Sequence, residues 1–138
     1  TLLAAAGLDR LGLGNVGSPA DELLPAASQG AVGVETLKSN GEVRALLAAV
    51  NDDITYRCVM LERSFLAAVG GDCHSAIAAH ASVAGDQILL GAELLSADGR
   101  EIQAGEILCP PDEAGAPAQL ARQLLDQASP GLRSLFAA

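Results

Sequence analysis

A cysteine placed directly after a pair of glycines is the residue of this sequence best suited to chemistry. Cys73 lies in the stretch GGDCHS at 70–75, between a predicted helix that ends at Val69 and a predicted strand over 76–83. Its thiol is therefore expected on a short loop, where a thiolate can attack an electrophilic carbon. The alternative interpretation is a small buried hydrophobic residue, which is a common role for a lone cysteine.

The two other cysteines have no comparable setting. Cys58 falls on the apolar stripe of a predicted helix over 52–69, so we expect it in the core. Cys109 ends a predicted strand and is expected to be structural. Three cysteines without a CxxC pair argue against a disulfide framework and against a zinc site, so no metal is expected. Reduced thiols favour a cytoplasmic setting.

Three further segments carry a family resemblance. They read AGLDRLGL at 6–13, LPAASQGAVGVE at 24–35, and ERSFL at 62–66 followed by GDC at 71–73. In this order and at these spacings they resemble the porphobilinogen deaminases (hydroxymethylbilane synthases). The resemblance extends over nearly the whole chain.

The resemblance implies a transferase of tetrapyrrole biosynthesis. Such enzymes polymerise four porphobilinogen molecules into hydroxymethylbilane, with release of ammonia, on a dipyrromethane primer that a thioether links to one cysteine. By resemblance, Cys73 is the attachment point and Arg10 binds pyrrole carboxylates, which suit the planar guanidinium fork. Ser28, Gln29 and Gly30 match the family's crossing segment near the cofactor. Ser28 stands where many family members have glycine.

Several other polar residues lie in or near these segments. Arg63 also matches the family, but Glu62 and Arg63 are equally consistent with a structural ion pair at a domain contact. His80 is expected to be a packed or edge histidine of its strand. Asp72 replaces a glycine of many relatives, and its charge would raise the pKa of the adjacent thiol. A protonated His74 would offset that effect.

The resemblance also implies a domain plan. The family's chains are about twice as long, so this chain is expected to be the C-terminal half, without the arginine-rich segments and the catalytic aspartate. Residues 1–29 would be the remnant of a second periplasmic-binding-protein-like α/β domain. Residues 30–50 would be a crossing segment and helix of the first such domain. Residues 51–138 would form the cofactor-bearing domain, and no catalytic residue is expected in this half.

Hydrophobic periodicity and turn signals predict an α+β fold for the last domain. A three-stranded antiparallel sheet would be covered by helices on one face. The predicted elements are a helix end over 2–11, a buried strand over 31–34, helices over 41–50, 52–69, 116–128 and 132–136, and strands over 76–83, 87–94 and 101–108.

Charge and composition exclude several classes of partner. The formal net charge is −9, which repels nucleic acid and anionic membranes. Only one tyrosine and two phenylalanines are present, too few for a platform that stacks nucleotide bases. No signal-peptide pattern and no membrane-spanning apolar run is visible.

The expected partners are porphobilinogen, the growing pyrrole chain and the N-terminal half of the enzyme. Eight basic residues against seventeen acidic ones cannot build a polyanion site alone, so the isolated chain is expected to be inactive and to hold no dipyrromethane. Two alternatives stay open. One is a non-catalytic α+β interaction module that self-associates, and the other is one subunit of a split enzyme.

Overall fold

The computed structural model describes residues 1–72 and 74–136 of the chain. Its element order after residue 52 is a long helix, three antiparallel strands and two helices, which confirms the predicted α+β class. The elements are α1 (Ala5–Arg10), α2 (Gly41–Ala48), α3 (Asp53–Val69), β1 (Ile77–Ala84), β2 (Gln87–Leu95), β3 (Ile102–Cys109), α4 (Ala116–Gln127) and α5 (Pro130–Arg133).

The long helix α3 has a defined start and end. The Asp52 side chain accepts a hydrogen bond from the backbone N–H of Thr55 at 2.8 Å, which satisfies one of the unpaired donors of the first turn. Gly70 follows the last turn with a φ of 78°, a left-handed conformation that glycine adopts without steric cost. Between these ends, one face is buried: Cys58, Leu61, Glu62, Phe65 and Val69.

The sheet has the order β1-β2-β3, with both pairs antiparallel. Alternate residues of β2 are buried under α3 and α4, namely Ile88, Leu90, Ala92 and Leu94. On β3, Gly105 permits the close approach of α4, because a Cβ atom there would lie 2.9 Å from Leu124 Cδ2. The covered face of the sheet and the two helices thus enclose one core, which is mainly aliphatic.

The first fifty residues are built differently. Residues 1–57, all of them described, carry no buried side chain. The predicted buried strand over 31–34 is wrong, since this segment pairs with no strand and Val32 is 92% exposed. An apolar run becomes a buried strand only where a sheet receives it. The sheet of the described residues has three strands, and none of them pairs with this segment.

Three helices differ from their predicted bounds by two residues or more, and the first of them, α1, begins at Ala5 rather than at residue 2. α2 ends at Ala48 rather than at residue 50, and its apolar side chains are uncovered, with Leu46 72% exposed. The last helix, predicted over 132–136, is α5, which begins at Pro130 because the Ser129 hydroxyl caps it by accepting from Leu132 N. No helix in the described part of the chain is long and apolar enough to span a membrane.

Candidate functional site

The two glycines before Cys73 have different structural roles. Gly70 supplies the left-handed residue that ends α3. Gly71 has no room for a side chain, because a Cβ atom would collide with the Cδ1 atom of Ile77 and lie 2.9 Å from that of Leu66. The chain therefore leaves α3 in a tight turn that rests directly on the core. Cys73 itself lies outside the described residues.

The residues on either side of Cys73 are tied to one another. The Asp72 carboxylate accepts from the backbone N–H of His74 at 2.8 Å and from the Ser75 hydroxyl at 3.0 Å. The Asp72 N–H donates to Ser75 Oγ at 3.0 Å. The bonds that the carboxylate accepts, that of the His74 N–H first and that of the Ser75 hydroxyl second, lower the pKa of Asp72. An ionised carboxylate is thus fixed beside position 73, and its expected effect on the Cys73 thiol stays a prediction.

A second segment, residues 24–30, wraps around the free edge of β1, and we call it the edge hook. On the outer face of the sheet, Leu24 Cδ1 lies 3.8 Å from the position of a Cβ at Gly91. At the edge, the Pro25 carbonyl accepts from the N–H of Ala79 at 3.0 Å. On the inner side, Ala27 packs against the core. The edge hook therefore contacts both faces of the sheet.

Glu62 of α3 joins the edge hook to the sheet. Its side chain is 7% exposed, and its Oε2 accepts from the N–H of Ser28 at 2.7 Å. Its Oε1 accepts from the N–H of Ala81 at 2.8 Å and lies 3.5 Å from His80 Nδ1. The suggested ion pair with Arg63 is wrong, because the Glu62 carboxylate is directed to these backbone donors and to His80. His80 is the half-exposed edge residue that the sequence predicted.

The turn of the edge hook at Ser28 has an unusual backbone. Ser28 has a φ of 65° and is the single non-glycine residue with positive φ among the described residues. L-residues disfavour this region, whereas a glycine at this position would adopt it without steric cost. Gly30 follows with a φ of 82°. The Gln29 N–H donates to the Ala26 carbonyl at 3.1 Å, which closes the turn.

A cavity of about 430 Å³ lies between the edge hook, α3 and β1. Its lining includes Gln29, Gly30, Cys58, Glu62 and His80, and no lysine or arginine occurs among the described residues that line it. A dipyrromethane that carries acetate and propionate groups on each ring needs cationic partners. The cavity therefore does not fit this group. A second groove, between α3 and residues 111–114, does not fit it either, because the arginine of its lining, Arg57, is paired with Asp112.

The thiols of Cys58 and Cys109 are poorly placed for nucleophilic chemistry. Both are free and buried, as predicted. Burial raises the pKa of Cys58, and the nearby Glu62 charge adds to the effect. Burial likewise raises the pKa of Cys109, with a further contribution from Glu113. Because the thiolate is the reactive form, burial and the raised pKa values both disfavour nucleophilic attack by these two thiols.

The predicted site residues are only partly brought together. Ser28, Gln29 and Gly30 form one turn against Glu62. Arg10 lies exposed at the end of α1, and within residues 1–72 and 74–136 no hydrogen bond, ion pair or cavity connects it with that turn. Across the described residues, no cluster of three His, Cys, Asp or Glu side chains suits a metal ion.

Sequence reasoning missed the role of Glu62. A signal was present, since Glu62 occurs four residues after Cys58 and three before Phe65, on the apolar stripe of α3. A carboxylate on a buried stripe requires hydrogen-bond donors from elsewhere in the fold. The identity of those donors depends on tertiary structure, which the stripe alone does not contain.

Comparisons with known proteins cover almost the entire chain. A family model described as porphobilinogen deaminase, C-terminal domain, matches residues 56–126. Another, described as porphobilinogen deaminase, dipyromethane cofactor binding domain, matches residues 1–45.

Among curated relatives, the porphobilinogen deaminase of Sphingopyxis alaskensis is 46% identical over 140 residues, which cover 99% of this chain and 44% of the relative. That of Bordetella parapertussis is 44% identical and covers 83% of this chain and 38% of the relative. The porphobilinogen deaminase of Roseiflexus sp. is 40% identical, and the match covers 99% of this chain and 45% of the relative. The chain thus spans less than half the length of the curated relatives it matches.

Proposed function

Because the chain belongs to the porphobilinogen deaminase family, we propose that it supplies the primer-bearing part of an enzyme that polymerises porphobilinogen into hydroxymethylbilane. The observation that carries the proposal is the match of two family models, which together cover residues 1–45 and 56–126. In the complete enzyme, dipyrromethane would be attached to Cys73 through a thioether.

The local structure supports Cys73 over the other two cysteines. Its loop follows a left-handed glycine and a glycine without room for a side chain, and the residues on both sides are tied by the bonds of Asp72 and Ser75. These bonds fix the chain before and after position 73. Cys58 and Cys109, by contrast, are buried with raised pKa values. A thiolate is the form that captures an electrophilic carbon.

The positive charge for the pyrrole carboxylates would come from Arg10 and from residues of the enzyme beyond this chain. Support comes from the cavity beside the edge hook, whose described lining lacks lysine and arginine, and from the net charge of −9. The isolated chain would therefore hold no primer and show no turnover. Its free, buried thiols are consistent with a cytoplasmic enzyme.

A chimera tests this function. The chain would replace the matching part of the Sphingopyxis alaskensis porphobilinogen deaminase, with which it is 46% identical. We expect the purified chimera to consume porphobilinogen, and we expect peptide mass mapping to find the dipyrromethane adduct on the peptide that contains Cys73. Turnover is the first measurement and the peptide mass map is the second.

Matched cysteine variants define the controls. Cys73→Ser should abolish both the adduct and turnover, whereas Cys58→Ala and Cys109→Ala should keep the adduct. A folded chimera without turnover would contradict the proposed function. An adduct on Cys58 or Cys109 in an active chimera would contradict only the assignment of Cys73 as the attachment residue, and the proposed function would stand.

A further inference from the structure

A single buried side chain connects the edge hook to the rest of the fold from the helix side. Glu62 receives one N–H from Ser28, 34 residues earlier, and one from Ala81, 19 residues later. Each donor uses a different carboxylate oxygen. Ser28 belongs to the turn that the family resemblance places near the pyrrole chain, and Ala81 belongs to the edge strand of the sheet.

A carboxylate is the side chain that suits these two donors. Both contacts are N–H groups, at 2.7 and 2.8 Å, so both terminal atoms of the side chain must be acceptors. Glutamine has one acceptor oxygen and one NH₂ donor group. A glutamine at position 62 would therefore place its NH₂ group opposite one of the two backbone N–H groups, and two donors cannot form a hydrogen bond with each other. Charge-assisted bonds of this length are also stronger than those between neutral groups.

The backbone of Ser28 needs such an anchor. A left-handed non-glycine residue persists only where its surroundings fix it. Within the turn, the Gln29 N–H donates to the Ala26 carbonyl, and the Ala31 N–H donates to the Ser28 carbonyl at 3.2 Å. A third bond, from the Ser28 N–H to Glu62, ties the turn to α3. Without Glu62, the Ser28 N–H loses its partner and this tie to the helix is lost.

We propose that Glu62 is a positioning residue, which fixes Ser28, Gln29 and Gly30 against the edge of the sheet and thereby sets their place relative to the loop of Cys73. The inference rests on the proposed function where it concerns pyrrole chains. The carboxylate acts through the Ser28 peptide and makes no contact with substrate. The edge hook is then held to α3 and to β1, the two elements that the loop of Cys73 connects.

Amide hydrogen exchange by NMR on this chain tests the placement without any need for activity. The Ser28 N–H should exchange more slowly than its exposed neighbours in the wild-type chain. Glu62→Gln should accelerate exchange at Ser28 or at Ala81 by roughly tenfold or more, as expected for loss of a charge-assisted bond. The matched control is Glu106→Gln, which removes a charge from the exposed outer face of β3. It should change neither amide.

Kinetics in the chimera test the consequence for function. Glu62→Gln should retain the primer on Cys73 and lower kcat for porphobilinogen by roughly tenfold, with a smaller change in KM. Glu106→Gln should match the unmodified chimera. A wild-type Ser28 amide that exchanges as fast as exposed amides would overturn the inference, even if Glu62→Gln failed to fold.

The two proposals fail in different ways. An inactive but folded wild-type chimera contradicts the proposed function, and the exchange data on Ser28 then decide the positioning role. An active chimera whose kcat is the same with Glu62→Gln as with Glu106→Gln contradicts the positioning role while the function stands.

Discussion

Helices α2 and α3 begin in the same way and differ in what covers them. Asn40 caps α2 by accepting from the N–H of Val43 at 3.1 Å, and Asp52 caps α3 by accepting from Thr55 N at 2.8 Å. Yet α2 buries no residue, whereas α3 buries five. The same contrast separates residues 1–50 from residues 51–136 as a whole.

This difference shows that local signals do not decide where a core forms. Short isolated helices are marginal in water, and most helix stability in proteins comes from packing of an apolar face. α3 has the sheet and α4 to pack against, and α2 has no such partner among the described residues. We therefore expect the free energy of unfolding to be determined by residues 51–136. The edge hook is the exception, because it belongs to the first region in sequence and packs with the second.

The largest expected effect separates a core side chain from an exposed one. Phe65 is fully buried, whereas Leu46 is 72% exposed. Phe65→Ala should lower the free energy of unfolding by about 3–5 kcal/mol, through lost burial and the cavity left behind. Leu46→Ala should change it by less than about 0.5 kcal/mol. Urea denaturation followed by circular dichroism measures both, and a similar loss in the two variants would show that α2 is packed in solution.

A smaller effect is expected from the two helix caps. Asp52→Ala should lower the midpoint of thermal unfolding by a few degrees at pH 7, because α3 is part of the core. Asn40→Ala should leave the midpoint unchanged and reduce only the helical signal of α2. Calorimetry combined with circular dichroism distinguishes these outcomes, and equal shifts in the two midpoints would contradict the contrast between the regions.

The cap of α3 also has a defined pH dependence. The hydrogen bond from the Thr55 N–H lowers the pKa of Asp52 below its ordinary value of 3.8. A carboxylate with a lowered pKa contributes stability above the unfolded value and loses it as the pH falls through the folded value. The difference between wild type and Asp52→Ala should therefore be fully present above pH 3.8 and should shrink below it.

The sequence predicted those parts of the fold that depend on local patterns. The stripe of α3, the alternation in β2 and the Asp98-Gly99 turn between β2 and β3 each contain their own signal within a few residues. The segment 31–34 has the same kind of signal, but no strand of the described sheet pairs with it. The family resemblance singled out Ser28, Gln29 and Gly30. The hydrogen bond from Ser28 to Glu62 spans 34 residues, and no local pattern contains it.

The most direct test of the contrast is hydrogen exchange of the whole chain at peptide resolution, followed by mass spectrometry. We predict slow exchange in α3, β1, β2 and α4, and fast exchange in residues 1–23 and 31–50. Within residues 1–50, protection should be confined to the edge hook. Slow exchange across residues 31–50 in the isolated chain, at a level similar to that of α3, would contradict the account.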